Sequence, residues 1–238
     1  MEKQKLEKQF WTNTRLQLRN NYQFNDTWLD VIIRFKKRIN DFYIEPVKEI
    51  QEPKKLKGEG FTIMMVLCTL IEMLAGFRRG MIHKYNKNGT AENFYYRTGN
   101  DCLYPFMKSD PIFKDHFFTL DAHGNITIDT PYLAEEFYSS VRCGIMHEAR
   151  TKGDWVINGT KNPDPNEVIF ITTIPSDNTI SVNRDILLNR ILTAFESYTV
   201  ELTEDTVNGE SLRRLFGRKL DDMFSIPKDL TYNWWLDY

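Results

Sequence analysis

The longest apolar stretch of the chain runs from Phe61 to Phe77 (FTIMMVLCTLIEMLAGF) and constrains the fold more than any other segment. It is short for a membrane span, and it contains Glu72, a carboxylate that is costly to bury without a partner. The stretch therefore predicts a buried core helix. Because it is apolar nearly all round, other elements must cover it on several sides, which favours the centre of a helical bundle.

Three further segments have helical periodicity. Apolar residues recur at spacings of three and four within 28–42, 133–145 and 186–200, as amphipathic helices require. They are Trp28, Val31, Ile32, Phe35, Ile39 and Phe42; Leu133, Phe137, Val141 and Ile145; Ile186, Leu187, Ile191, Leu192, Phe195 and Val200. Pro131 suits the first position of the second of these helices. The chain is therefore predicted to be mainly α.

Between the second and third of these helices the pattern changes. Apolar and polar residues alternate from Trp155 to Arg184 around two turn segments, which predicts a small antiparallel sheet at about 155–184. We expect a charged N-terminal segment (1–26), one helical domain containing this β element (27–202) and a C-terminal tail (203–238). Trp234 and Trp235 in the tail are expected to pack against the domain.

Charge and cysteine content exclude several kinds of protein. The formal net charge is only -2, so no global basic field attracts a polynucleotide, and only a local patch could bind one. Three short basic clusters could supply such a patch: Arg34 with Lys36, Lys37 and Arg38; Arg78 and Arg79 with His83 and Lys84; Arg213, Arg214 and Arg218 with Lys219. Each could equally be a solvated helix face. Three scattered cysteines suggest neither a disulfide framework nor a zinc site, and a charged N-terminus without a signal pattern predicts a cytoplasmic protein.

The segment from Arg142 to His147 (RCGIMH) carries the groups best suited to chemistry. A guanidinium stays protonated and can hold a phosphate with two hydrogen bonds, and an imidazole can take or give a proton near neutral pH. Arg142 and His147 are five residues apart, so on an ideal helix their side chains point about 140 degrees apart around the axis. They would meet only if the helix loosened around Gly144. Glu72 either orients Arg142 or His147 as a hydrogen-bond acceptor or pairs with another cation, such as Arg78 or Arg79.

An apolar second helix with an internal acid, followed by a helix ending in Arg, four residues and His, resembles the HEPN superfamily of helical bundles. The string FYSSVRCGIMHEARTKGDW carries the resemblance, which covers about residues 27–202. It implies a metal-independent endoribonuclease without cofactors, with Arg142 and His147 as catalytic residues and Glu72, Cys143 and Gly144 in support. Two copies would face each other in a homodimer, RNA would be the substrate, and an antitoxin or defence-complex partner would restrain the activity.

Two positions depart from the pattern of this family. Catalytic members usually carry a polar residue directly after the Arg, where this chain has Cys143, and one subgroup has a Tyr two residues after the His, where this chain has Ala149. Three alternatives stay open. Arg142 could form a salt bridge and His147 could cap its helix; the bundle could be a non-catalytic dimerisation or RNA-binding module; or Arg142 alone could sense a phosphate or nucleotide.

Overall fold

The computed structural model of the chain describes residues 2–51, 58–84, 93–99, 101–117, 132–160 and 162–236. Helices dominate these residues, which confirms the mainly α class. The α-helices are α1 (Glu2–Thr14), α2 (Asp26–Ile39), α3 (Glu45–Gln51), α4 (Glu59–Arg79), α5 (Leu103–Ser109), α6 (Ala134–Glu136), α7 (Cys143–Glu148), α8 (Arg184–Glu201) and α9 (Val207–Met223). Two π-helical stretches (Asn40–Ile44, Phe137–Arg142) and two 3-10 turns (Lys114–His116, Asn233–Trp235) accompany them.

Helix α2 shows why the predicted periodicity holds and where it fails. Its N-cap is Asn25, whose side-chain oxygen accepts the backbone N–H groups of Thr27 and Trp28. The predicted apolar positions up to Ile39 are buried, whereas Phe42 is exposed. The chain enters a π-helical stretch at Asn40, and the wider turn moves the buried stripe on to Ile44.

Helix α4 is the predicted apolar helix. It is long and apolar enough to cross a membrane, but 56% of its most apolar window is buried inside the protein, as in the core helices of soluble proteins. Its buried residues include Ile63, Leu67 and Leu74. The helix is covered on several sides but not on all, because Phe61 and Met65, one turn apart, remain exposed.

The chain divides into two compact units. Unit 1 consists of Met1–Asn40, Leu74–Arg97 and Glu196–Tyr238, and unit 2 consists of Asp41–Met73 and Thr98–Phe195. This differs from the three-part organisation expected from the sequence, since the residues beside both expected boundaries lie within unit 1. The expected tail contains helix α9, and Trp234 and Trp235 are buried, which confirms that they pack against the protein.

Two groups of contacts stabilise unit 1. Phe35, Phe77 and Phe216 form an aromatic core with ring centroids 4.6 to 5.6 Å apart. The second group surrounds the carboxylate of Asp221, which is fully buried. Its donors are Trp11 Nε1 (2.9 Å), Arg15 Nη2 (2.8 Å), Trp234 Nε1 (2.9 Å) and Trp235 Nε1 (2.9 Å).

The sheet of unit 2 has three strands in the order β3 (Trp155–Asn158), β5 (Thr179–Asn183), β4 (Ile171–Ile174). Strands β4 and β5 form the predicted antiparallel pair, with Ile171 opposite Val182. The prediction was wrong for β3, which runs parallel to β5 with Trp155 opposite Ile180. Strand β5 is central, so β3 pairs with one edge of β5 and β4 pairs with the other. Unit 1 contains a two-residue parallel pair, β1 (Ile82–His83) and β2 (Tyr95–Tyr96).

Candidate functional site

The segment that carries Arg142 and His147 is one continuous helix formed by α6, the π-helical stretch Phe137–Arg142 and α7, which we call the motif helix. Phe137, Val141 and Ile145 are buried as the periodicity predicted, and Pro131 lies outside the described residues. The widened turns end at Arg142, and the helix is regular α from Cys143 to Glu148. The predicted loosening at Gly144 therefore does not occur there.

Gly144 has a different role in the structure. A Cβ atom at this position would lie 2.5 Å from the carbonyl oxygen of Arg150. The chain can turn back so closely because Ala149 adopts a left-handed conformation (φ 54°) and its N–H bonds to the carbonyls of Gly144 and Ile145. The close approach at Gly144 is made by the protein's own backbone.

This geometry predicts opposite effects of two substitutions at one helix end. Gly144→Ala should lower the free energy of unfolding by about 1–3 kcal/mol, because the new methyl group overlaps a backbone oxygen. Ala149→Gly should raise it by about 0.5–1 kcal/mol, because glycine adopts a positive φ without steric cost. Urea denaturation measures both values. Equal effects of the two variants would contradict the close approach.

Arg142 is held by Glu72 of α4. Nε donates to Oε1 at 2.7 Å and Nη2 donates to Oε2 at 3.2 Å, a two-bond pair of the kind that fixes a guanidinium plane. The side chains of Arg142 and Glu72 remain 24% and 29% exposed. Of the partners considered for Glu72, the structure selects Arg142, while Arg78 pairs with Glu201 at 2.6 Å. Two acids closer to Arg142 in sequence have other partners: Glu135 pairs with Lys108, and Glu148 pairs with Arg150 and Lys152.

The charges around Arg142 keep it protonated. Burial lowers the pKa of Arg142, but the hydrogen bond and the negative charge of Glu72 outweigh burial and raise the pKa overall. Burial and the charge of Glu72 raise the pKa of the Cys68 thiol to about 12, so Cys68 is neutral at physiological pH. Burial also raises the pKa of Tyr138 to about 12, although the charge of Arg142 opposes that rise. The site thus contains one fixed cation paired with one carboxylate.

Two tyrosines complete these surroundings and were missed by sequence reasoning. The ring of Tyr138 lies 5.2 Å from Arg142 Cζ, and Tyr104 of α5 packs edge-on against it with ring centroids 5.5 Å apart. Tyr138 precedes Arg142 by four positions, a spacing that places side chains together on a helix and could have identified it. No local signal indicates Tyr104, because it comes from a different helix.

His147 lies in the last turn of α7 and is exposed. It makes no hydrogen bond or ion pair with any residue that the structure describes. Because Cys143–Glu148 is regular α-helix, ideal geometry places His147 about 140 degrees around the helix axis from Arg142, the last residue of the π-helical stretch. A single motif helix therefore presents the cation toward Glu72 and the imidazole in another direction, and one chain alone does not bring the two groups together.

Two other histidines, His116 and His83, occupy a structural and a surface position, respectively. His116 is 3% exposed, stacks on Phe170 with ring centroids 3.9 Å apart, and accepts the Phe170 N–H at Nε2 (3.2 Å). Burial, with the charge of Arg190, lowers the pKa of His116 to about 4. His83 is exposed, and His123 lies outside the described residues. Over the described ranges, no group of three or more His, Cys, Asp or Glu side chains could hold a metal ion.

Comparison with family models, with curated proteins and with solved structures gives no match to this chain. The case for a function therefore depends on Arg142, Glu72 and His147 themselves.

Proposed function

We propose that the chain is a HEPN-type, metal-independent endoribonuclease that acts as a homodimer. Arg142 holds the scissile phosphate, and His147 takes a proton from the ribose 2′-hydroxyl or gives one to the leaving oxygen. The observation that carries the proposal is a guanidinium fixed by two bonds to Glu72, still partly exposed, on the same helix as an exposed imidazole. A fixed cation and an accessible acid–base group are what phosphodiester transfer needs from a protein.

The reaction balances with these two groups. The 2′-oxygen attacks phosphorus after losing its proton to an imidazole, and the bond to the 5′-oxygen breaks as that oxygen gains a proton. The products are a 2′,3′-cyclic phosphate and a 5′-hydroxyl, so DNA is not a substrate. Neither step requires a metal or a cofactor.

The geometry favours a site shared by two copies. Arg142 and His147 diverge on the motif helix, so a second motif helix facing the first can bring the Arg142 of one copy toward the His147 of the other. Glu72 would fix the position of Arg142. Its negative charge would also reduce the net positive charge that Arg142 presents to the phosphate. We assign the protein a cytoplasmic role in bacterial defence or as the toxin of a toxin–antitoxin system, with an antitoxin or defence-complex partner.

The second candidate function is a non-catalytic dimerisation or RNA-binding module. One observation favours it, because Glu72 already occupies two of the three guanidinium nitrogens of Arg142. Catalytic members of the HEPN superfamily usually carry a polar residue directly after the Arg, where this chain has Cys143. This difference agrees with a site that does not carry out catalysis.

We expect purified protein to cleave labelled RNA in EDTA, and Arg142→Ala or His147→Ala to slow cleavage by at least about 100-fold each. Arg150→Ala and His83→Ala are matched controls, because both side chains are exposed and lie outside the proposed site, and their rates should equal that of the wild type. Gel electrophoresis with end-group analysis measures the rate and identifies the cyclic phosphate.

Mixing the two inactive variants tests the shared site. A mixed dimer contains one intact Arg142 and one intact His147 on different copies, so partial cleavage should return. Intact RNA with retained binding by the wild type would support the module and refute the enzyme. If the wild type neither cleaves nor binds RNA, both the ribonuclease and the RNA-binding module are refuted.

A further inference from the structure

Unit 1 contains a cavity of about 660 Å³ that the proposed function does not use. It lies between the C-terminal end of α4, the segment around Phe94 and one face of α9. Its described lining includes the arginines Arg79, Arg214 and Arg218 and the apolar residues Met81, Phe94 and Leu215. The volume is within the range of small-molecule sites, which is about 300–1,000 Å³.

Two of the basic clusters seen in the sequence meet at this cavity. Arg79 belongs to the cluster at the end of α4, and Arg214 and Arg218 belong to the cluster on α9. Helix α9 turns one face toward the cavity, because Ser211, Arg214, Leu215 and Arg218 follow the spacing of three and four of a single helical face.

Local packing explains why the two helices approach so closely. Gly80, which follows α4, has a left-handed conformation (φ 58°), and a Cβ atom there would lie 2.8 Å from the side chain of Leu215. The absent side chain lets Leu215 pack against the end of α4. Arg79 and Arg214, the neighbours of these two residues in sequence, are thereby brought to the same cavity.

Arg218 is oriented from within the protein. It is 2% exposed, its Nε donates to the carbonyl of Trp234 at 2.7 Å, and its guanidinium lies 4.6 Å from the ring centroid of Phe94. Carbonyl and ring contacts fix the plane of a guanidinium without removing its charge. Together with Arg79 and Arg214 it gives the cavity three guanidinium groups.

The remaining lining is apolar or neutral. Met81, Phe94 and Leu215 provide an apolar surface, and Asn93 and Ser211 provide neutral hydrogen-bonding groups. Several guanidinium groups around one cavity suit a phosphate, whose oxygens accept paired N–H donors. We infer that this cavity binds a phosphorylated small molecule with an apolar or planar body, of which a nucleoside monophosphate is the simplest representative.

Calorimetric titration of the whole chain with AMP, adenosine and inorganic phosphate tests the inference. AMP should bind more tightly than either of its parts, since only AMP meets both the cationic and the apolar surfaces. AMP at about 100 times its Kd should raise the Tm by about 5–10 °C. If inorganic phosphate bound as tightly as AMP, the inference that the apolar surface of the cavity contacts the body of the ligand would be overturned.

Arg79→Gln and Arg214→Gln should each weaken AMP binding by about 10- to 100-fold through loss of a charge-assisted hydrogen bond. Arg34→Gln is the matched control, because Arg34 is an exposed arginine of unit 1 that pairs with Asp30, and it should bind AMP as the wild type does. The Tm of each variant without ligand shows whether it is folded. Absence of AMP binding in the wild type, or unchanged binding in both lining variants, would overturn the site, whatever the outcome of the RNA cleavage assay.

Discussion

Replacement of Asp221 by alanine should lower the free energy of unfolding of unit 1 by about 3–5 kcal/mol, because it leaves a buried cation and three buried indole N–H groups without their acceptor. Asp221→Asn should cost less. One amide oxygen can replace Oδ2, which accepts from Arg15, Trp234 and Trp235, but the amide nitrogen would then face the N–H of Trp11. Urea denaturation followed by tryptophan fluorescence measures both variants, since three of the donors are tryptophans.

The adjacent residue supplies the control for this prediction. Asp222 is on the same helix but is 33% exposed and pairs with the nearby Lys219 at 2.6 Å. An ion pair of this kind contributes about 0–1 kcal/mol, so Asp222→Ala should change stability little. Equal losses for the Asp221 and Asp222 variants would show that the four buried donors do not depend on the carboxylate.

Acidification should destabilise the protein through His116. Its pKa is lowered from 6.5 to about 4 in the folded state, so between these values the unfolded chain binds the proton more readily. Stability is therefore complete above pH 6.5 and falls as the pH decreases toward 4. At pH 4.5 the loss attributable to this residue should be about 2.5 kcal/mol.

The cause of this loss is specific to the surroundings of the ring. A protonated imidazole could not accept the Phe170 N–H at Nε2, and it would face the positive charge of Arg190, which the carboxylate of Asp115 offsets only in part. His116→Gln keeps an acceptor but does not titrate, so its stability should depend less on pH between 4.5 and 7 than that of the wild type. His83→Gln should retain the wild-type dependence. Denaturation curves at several pH values would refute the argument if all three proteins had the same slope.

Periodicity predicted much of the helical structure but not its irregular turns. The stripe from Trp28 to Ile39 follows from spacings of three and four, and these residues are buried. The π-helical stretch that exposes Phe42 and buries Ile44 leaves no mark on a pattern with a period of 3.6. Alternation likewise located the strands, but it does not distinguish a hairpin from the parallel pairing of β3 with β5.

The candidate site was predictable only in part, because its contacts join distant segments. The apolar surroundings of Glu72 showed that it needs a partner, but Arg142, His147, Arg78 and Arg79 all satisfied that requirement in sequence. The choice of Arg142 depends on how α4 and the motif helix pack. The cluster around Asp221 could not be predicted from the sequence, because two of its four donors, Trp11 and Arg15, precede it by more than 200 positions.

The cluster around Asp221 also determines when unit 1 can complete its core. Its donors come from two segments far apart in sequence, Trp11 with Arg15 and Trp234 with Trp235, and Trp11 is 210 positions from Asp221. A ribosome must therefore deliver Trp234 and Trp235 before the carboxylate acquires its full set of bonds. The long loops closed by these contacts slow that step, so Trp11 of helix α1 lacks its buried acceptor until the 210 positions to Asp221 have been synthesised.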